Sequence, residues 1–131
     1  MPTLTELYRD IAERHLLAAR LLLAEGLHDV SIFHAYHSLE SIACSAIAVR
    51  GLPVPWNHQS KLETFLHLYR SQPFSHGART LAAALMPMRN RVLYPVSGEA
   101  LPREAVTKDE AGRFLARVEG LIPLVQRATS A

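Results

Sequence analysis

Polar groups concentrate in one short stretch, Met88-Arg89-Asn90-Arg91-Val92-Leu93-Tyr94-Pro95. A guanidinium is a planar fork of donors that fits phosphate or carboxylate oxygens two at a time, and the Asn90 amide beside it can both donate and accept. On an ideal helix Arg89 and Arg91 lie about 200° apart, and Arg89 and Tyr94 about 140° apart, from the 3.6-residue turn. A continued helix would therefore separate them. Pro95 disfavours the α conformation at Tyr94, so the helix is expected to end there and the phenol to fold back towards Arg89. A surface arginine pair beside a packed tyrosine is the plainer outcome of the same spacing, because arginine is usually exposed.

Glu40 stands alone in a long apolar stretch, with no cation three or four residues away. A lone buried carboxylate costs several kcal/mol, so Glu40 is expected to pair with Arg89 or Arg91 or to lie on a solvated strip. His34, His37 and Glu40 spread over about 120° of that helix. The two histidines have workable metal spacing, but the carboxylate at i+6 is poorly placed as a further ligand, so no metal is expected. Cys44 is the only cysteine and lies in Ile42-Ala43-Cys44-Ser45-Ala46, with no neighbouring cation in sequence to lower its pKa. It reads as a small buried hydrophobe rather than a nucleophile. No phosphate-cradling Gly-rich loop, nucleophile elbow or HExxH string occurs.

Apolar residues recur at helical spacing and strict alternation is absent, so the fold is expected to be all-α, an up-and-down bundle of about five helices. The first runs from about Leu4 to Glu25 and places Leu4, Leu7, Tyr8, Ile11, Ala18, Ala19, Leu22 and Leu23 on a broad stripe, closed by Gly26. Asp29 is read as the cap of a second helix reaching Arg50 and stopped by Gly51. Between Val30 and Arg50 its only formal charges are Glu40 and Arg50, so it is either central to the fold or buried against another subunit. After the stiff Pro53-Val54-Pro55 loop, a third helix covers about Gln59 to Ser71 and Pro73 ends it. Ser75 is read as the cap of a fourth, which runs to Leu93 with a kink or restart at Pro87. An exposed loop spans Pro95 to Val106. Thr107 and Glu110 have capping-box spacing ahead of a last helix carrying Phe114, Leu115, Val118, Leu121 and Ile122.

The 131 residues are 49% hydrophobic and 20% charged, with a net charge of +2, which suits one domain over residues 1–131 and excludes collagen, disulfide scaffolds and disordered chains. No apolar run approaches a membrane span, and a soluble, cytoplasmic protein is expected. Twelve of the fourteen cations are Arg, which suits phosphate contacts, but the small net charge alone does not announce a nucleic-acid binder.

Several strings together resemble the HEPN domain superfamily of small prokaryotic helical proteins. They are Phe33-His34-Ala35-Tyr36-His37-Ser38-Leu39-Glu40, Arg50-Gly51-Leu52, Trp56-Asn57-His58 leading to Phe65, Met88 to Tyr94, and Thr107-Lys108-Asp109-Glu110-Ala111, in an order that covers about Leu4 to Val125. The resemblance implies a bundle that forms homodimers, with a cleft lined by the polar motif of the fourth helix from both subunits. Many members are metal-independent ribonucleases whose motif is Arg, four to six residues, then His. In these the Arg acts on the scissile phosphate and the His moves the 2′-hydroxyl proton. Others are encoded with a nucleotidyltransferase as half of a toxin–antitoxin or defence system. Arg89 and Asn90 match, but the position five after Arg89 is Tyr94, a poor general base with an unperturbed pKa near 10. His76 precedes the motif by a full helical stretch.

Three readings stay open. The chain is a homodimer whose cleft of Arg89, Asn90, Arg91, Glu40 and His37 binds nucleotide or RNA without a cofactor and docks a nucleotidyltransferase. Alternatively, it is a ribonuclease in which Arg89, Tyr94 and His37 act together. In the third, it is an interaction module whose second helix is the dimer seam.

Overall fold

The computed structural model describes residues 1–94, 98 and 101–130. They form α1 (Leu4–Ala24), α2 (His28–Ala48), α3 (His58–Leu68), α4 (Ser75–Leu93), a short 3-10 turn at Pro102–Glu104 and α5 (Lys108–Thr129), with no strand among them. Of the loop expected over Pro95–Val106, positions 95–97 and 99–100 lie outside the described residues.

The ends of the helices follow from local chemistry. Thr3 and Glu6 satisfy each other's free backbone N–H groups in a capping box at the start of α1, and Thr107 and Glu110 do the same for α5. Gly26 leaves α1 at φ +80°, a conformation that costs a side-chain-bearing residue energy. Asp29 is not the cap of α2. Leu27 holds that position without a side-chain bond, and Asp29 sits in the first turn, where its charge opposes the positive end of the helix dipole. Likewise Phe74, not Ser75, precedes α4. The third helix stops at Leu68, before the expected Ser71, with Tyr69 as its C-cap. Pro87 lies within α4, which is one continuous element rather than two.

The second helix is the centre of the bundle and touches all four others. Tyr36, Ile32, Leu39, Ile42 and Ile47 are fully enclosed, each contributing about 1.5–3 kcal/mol by leaving water. This resolves the alternative posed by its uncharged sequence: the covering partners come from its own chain. Ala43 has no exposed surface, so its face of α2 is covered within the chain.

α1 meets α2 through small residues. Ala12 and Ala19 are fully buried, and two α2 hydroxyls donate across the contact, Ser38 Oγ to the Ala12 carbonyl at 2.8 Å and Ser31 Oγ to the Ala19 carbonyl at 2.7 Å. The expected Leu stripe is therefore only partly correct. Leu4, Leu7 and Ile11 are exposed, because close helix approach favours the alanine face and turns the bulky residues outward.

Candidate functional site: a guanidinium held by two imidazoles

Arg89 is brought into the protein by the last turns of α4, where it is 6% exposed. Its Nε donates to His37 Nε2 at 3.4 Å, its Nη1 to Asn90 Oδ1 at 3.1 Å, and its Nη2 faces His58 Nε2 at 3.1 Å. The guanidinium carbon also lies 5.2 Å from the centre of the Tyr36 ring, within cation–π range. Of the five N–H groups of the guanidinium these contacts engage three, and one on each terminal nitrogen has no partner among the described residues.

His58 connects this fork to a buried acid. Its Nδ1 lies 2.6 Å from Glu40 Oε2, and Lys61 Nζ donates to the other carboxylate oxygen at 3.2 Å. With Nδ1–H directed at a carboxylate, Nε2 carries the lone pair that faces Arg89. The helix start places both partners: Asn57 accepts the Ser60 N–H at 2.7 Å as the N-cap of α3, and His58 and Lys61, three residues apart, then share one face above Glu40.

This corrects the expected pairing. Glu40 is buried, 5% exposed, but neither Arg89 nor Arg91 reaches it; Arg89 meets it only through His58. Burial works against the charged carboxylate, yet the neighbouring Tyr36 hydroxyl, the His58 donor and the Lys61 charge outweigh it and lower its pKa. The Tyr36 hydroxyl, near Glu40, is buried and has no hydrogen-bond partner among the described residues. Burial first, then Glu40, keep that phenol protonated.

The residues expected at the site divide. Arg89, Asn90 and Tyr94 line one open cleft of about 550 Å³ together with Asn57, His58 and Met86. Tyr94 is 62% exposed and extended (φ −120°, ψ 90°), as a residue before proline prefers, but it makes no side-chain hydrogen bond to Arg89 among the described residues. His37 stands behind Arg89 rather than in the cleft. Burial, with the Arg89 charge adding and Glu40 opposing, lowers its pKa to about 4, so it is a neutral acceptor for the guanidinium. Arg91 is exposed and does not line the cleft.

His34 turns away from this cluster and meets His15, with their Nδ1 atoms 2.9 Å apart. One ring must donate and the other accept, so the contact requires neutral imidazole on at least one side. Among the described residues no three His, Cys, Asp or Glu side chains are arranged to hold a metal. Cys44 is buried, and burial outweighs the nearby Lys61 charge to push its thiol up to about 12.

His58 was not singled out as a site residue from sequence; it entered only within the string Trp56-Asn57-His58. The available signal was its place as the first residue after a capping Asn, with Lys61 one turn on, facing a helix that carries one unpartnered acid.

A family model for the HEPN domain matches residues 5–128 of the chain. No curated protein matches it.

Proposed function

The chain belongs to the HEPN domain family, and from that premise we propose that it binds RNA at the Arg89 cleft and cleaves it, with His58 moving the proton. The observation that carries this reading is the position of His58, bonded to buried Glu40 on one side and Arg89 on the other, yet 44% exposed into the cleft. A carboxylate-backed imidazole in the wall of an open cleft, its second nitrogen held only by the Arg89 guanidinium, is the arrangement from which a general base is released when a phosphate engages that guanidinium. It supplies from α3 the histidine that is missing five positions after Arg89.

In the proposed reaction an RNA phosphate takes the two free N–H groups of Arg89, drawing Nη2 away from His58. The bared Nε2 removes the proton of the neighbouring 2′-hydroxyl, and that oxygen's electron pair forms the new bond to phosphorus. The P–O5′ bond breaks with its pair on O5′, which takes a proton from water at the open side of the cleft. His58 returns its proton to solvent, and the products are a 2′,3′-cyclic phosphate and a 5′-hydroxyl end. Arg89 stabilises charge on the phosphorane oxygens, and the exposed Tyr94 and Trp56 offer stacking faces for bases.

Self-association is part of the same proposal. Leu4, Leu7, Ile11, Leu17 and Leu21 leave α1 with an exposed apolar face, of the kind that protein contacts cover. The further proposals, a nucleotidyltransferase partner within a toxin–antitoxin or defence system of the cytoplasm, rest on the family resemblance. Isothermal titration of the full chain with a short single-stranded RNA tests the binding step: heat is expected for the wild type and not for Arg89→Ala, and equal heats would overturn the site.

A further inference from the structure

The Arg89 cleft continues into a second cavity of about 500 Å³ between α3 and α4, and the two share Gln59, Glu63, Met86 and Asn90 in their walls. A nucleotide whose phosphate lies on Arg89 therefore has its sugar and base beside this groove. The walls differ in charge. The α4 side carries the cations, Arg89 at one end and Arg79 at the other, whereas the α3 side carries Glu63. Like charges repel, so phosphates follow α4 and the base is left facing α3.

The groove is built to accept a flat apolar ring. Leu62, Met86 and Pro87 contribute to its lining, and stacking or apolar packing on such surfaces tolerates any base. Discrimination comes from Glu63. It is exposed, has no cation within 4.0 Å among the described residues, and accepts one bond, from Gln59 Nε2 at 2.8 Å on Oε1. That bond leaves lone pairs on both oxygens.

A carboxylate accepts hydrogen bonds and gives none. Guanine presents two adjacent donors, N1–H and the exocyclic N2–H, on its Watson–Crick edge. Adenine and cytosine place a ring acceptor beside their amino group, and uracil flanks its single N–H with two carbonyls. Only guanine can satisfy both oxygens, and the other bases bring a lone pair against a negative charge.

We propose that the α3/α4 groove is a base subsite selective for guanine, read by the Glu63 carboxylate. This rests on the reading that Arg89 takes the adjoining phosphate.

The test is calorimetric titration of the full chain with the four ribonucleoside monophosphates, as both 3′- and 5′-phosphates, using wild type, Glu63→Gln, Glu63→Ala and Arg89→Ala. Guanine nucleotides are expected to bind about tenfold more tightly than the other three, the discrimination one good bidentate base contact provides. Both Glu63 variants are expected to bring the four bases within about twofold, chiefly by weakening the guanine nucleotides. Glu63 is on the surface, so these variants leave the core untouched. Equal affinity for all four bases, abolished by Arg89→Ala, would overturn the guanine subsite and leave the phosphate site standing. Guanine preference that survives in the Glu63 variants would also overturn it. Absence of binding by any nucleotide to the wild type would overturn both.

Discussion

The imidazole of His58 reaches a buried carboxylate, Glu40, at 2.6 Å. The two come from different helices, and the contact joins the centre of the bundle to its surface. Glu40 lies on α2, the helix packed against every other, so it cannot move without disturbing the core. His58 opens α3 and is partly in solvent. A fixed acid therefore orients a half-exposed base, the division of labour that holds a proton acceptor in one tautomer.

Arg89→Ala removes the fork on which the account rests. Charge-assisted hydrogen bonds contribute about 1.5–3 kcal/mol each and two are lost, so RNA affinity is expected to fall about a hundredfold or more. Arg89→Lys keeps the charge without the planar pair of donors and is expected to recover only part of it. Calorimetry under one buffer condition measures both, and full recovery by lysine would show that charge alone suffices.

Glu40→Gln preserves shape while removing the charge that faces His58 and Lys61. Turnover is expected to fall with little change in KM, because the carboxylate acts on the base and not on bound RNA. Steady-state cleavage rates across RNA concentrations read this split. A variant with raised KM and unchanged kcat would place Glu40 in binding instead.

Stability is expected to fall as pH drops from 7 towards 4. Burial lowers the pKa values of His15, His34 and His37 below the unfolded 6.5, that of His37 to about 4. The unfolded chain thus binds more protons than the folded one across this window, and stability rises with pH through it. The depressed Glu40 adds the same sign below its unfolded 4.5. Urea denaturation at several pH values measures the slope. His37→Gln is expected to flatten it by less than one proton's worth, about 1.4 kcal/mol per pH unit, because the ring keeps some solvent. A slope unchanged in that variant would contradict the assignment.

Cys44 is expected to resist alkylation by iodoacetamide at pH 8 in the folded protein and to react once urea unfolds it. Its thiol is enclosed and its pKa is pushed up to about 12, so almost no thiolate forms. Mass spectrometry of the adduct distinguishes the two states, and rapid native labelling would show that the core opens.

Much of the fold was legible in the sequence, because five amphipathic or apolar periods and two glycine stops specify helices locally. The Thr107 and Glu110 capping box is a case in which side chains alone set a boundary. The inward face of α1 was misjudged, since periodicity marks an apolar stripe but not whether alanines or leucines make the closest approach. At the site, Arg89 and Asn90 were readable because they adjoin in sequence. The partner of Glu40 was not, because only tertiary packing brings the start of α3 over the middle of α2, and an arginine is the more obvious counter-ion than a histidine eighteen residues on.

The most direct test of the account is cleavage of an end-labelled single-stranded RNA by the full chain in EDTA, with the product ends identified. The wild type is expected to leave 2′,3′-cyclic phosphates, to spare a strand carrying 2′-deoxyribose throughout, and to lose about 10²–10⁴-fold in rate on His58→Ala. Uncut RNA, or cutting by His58→Ala at the wild-type rate, would contradict the role given to His58.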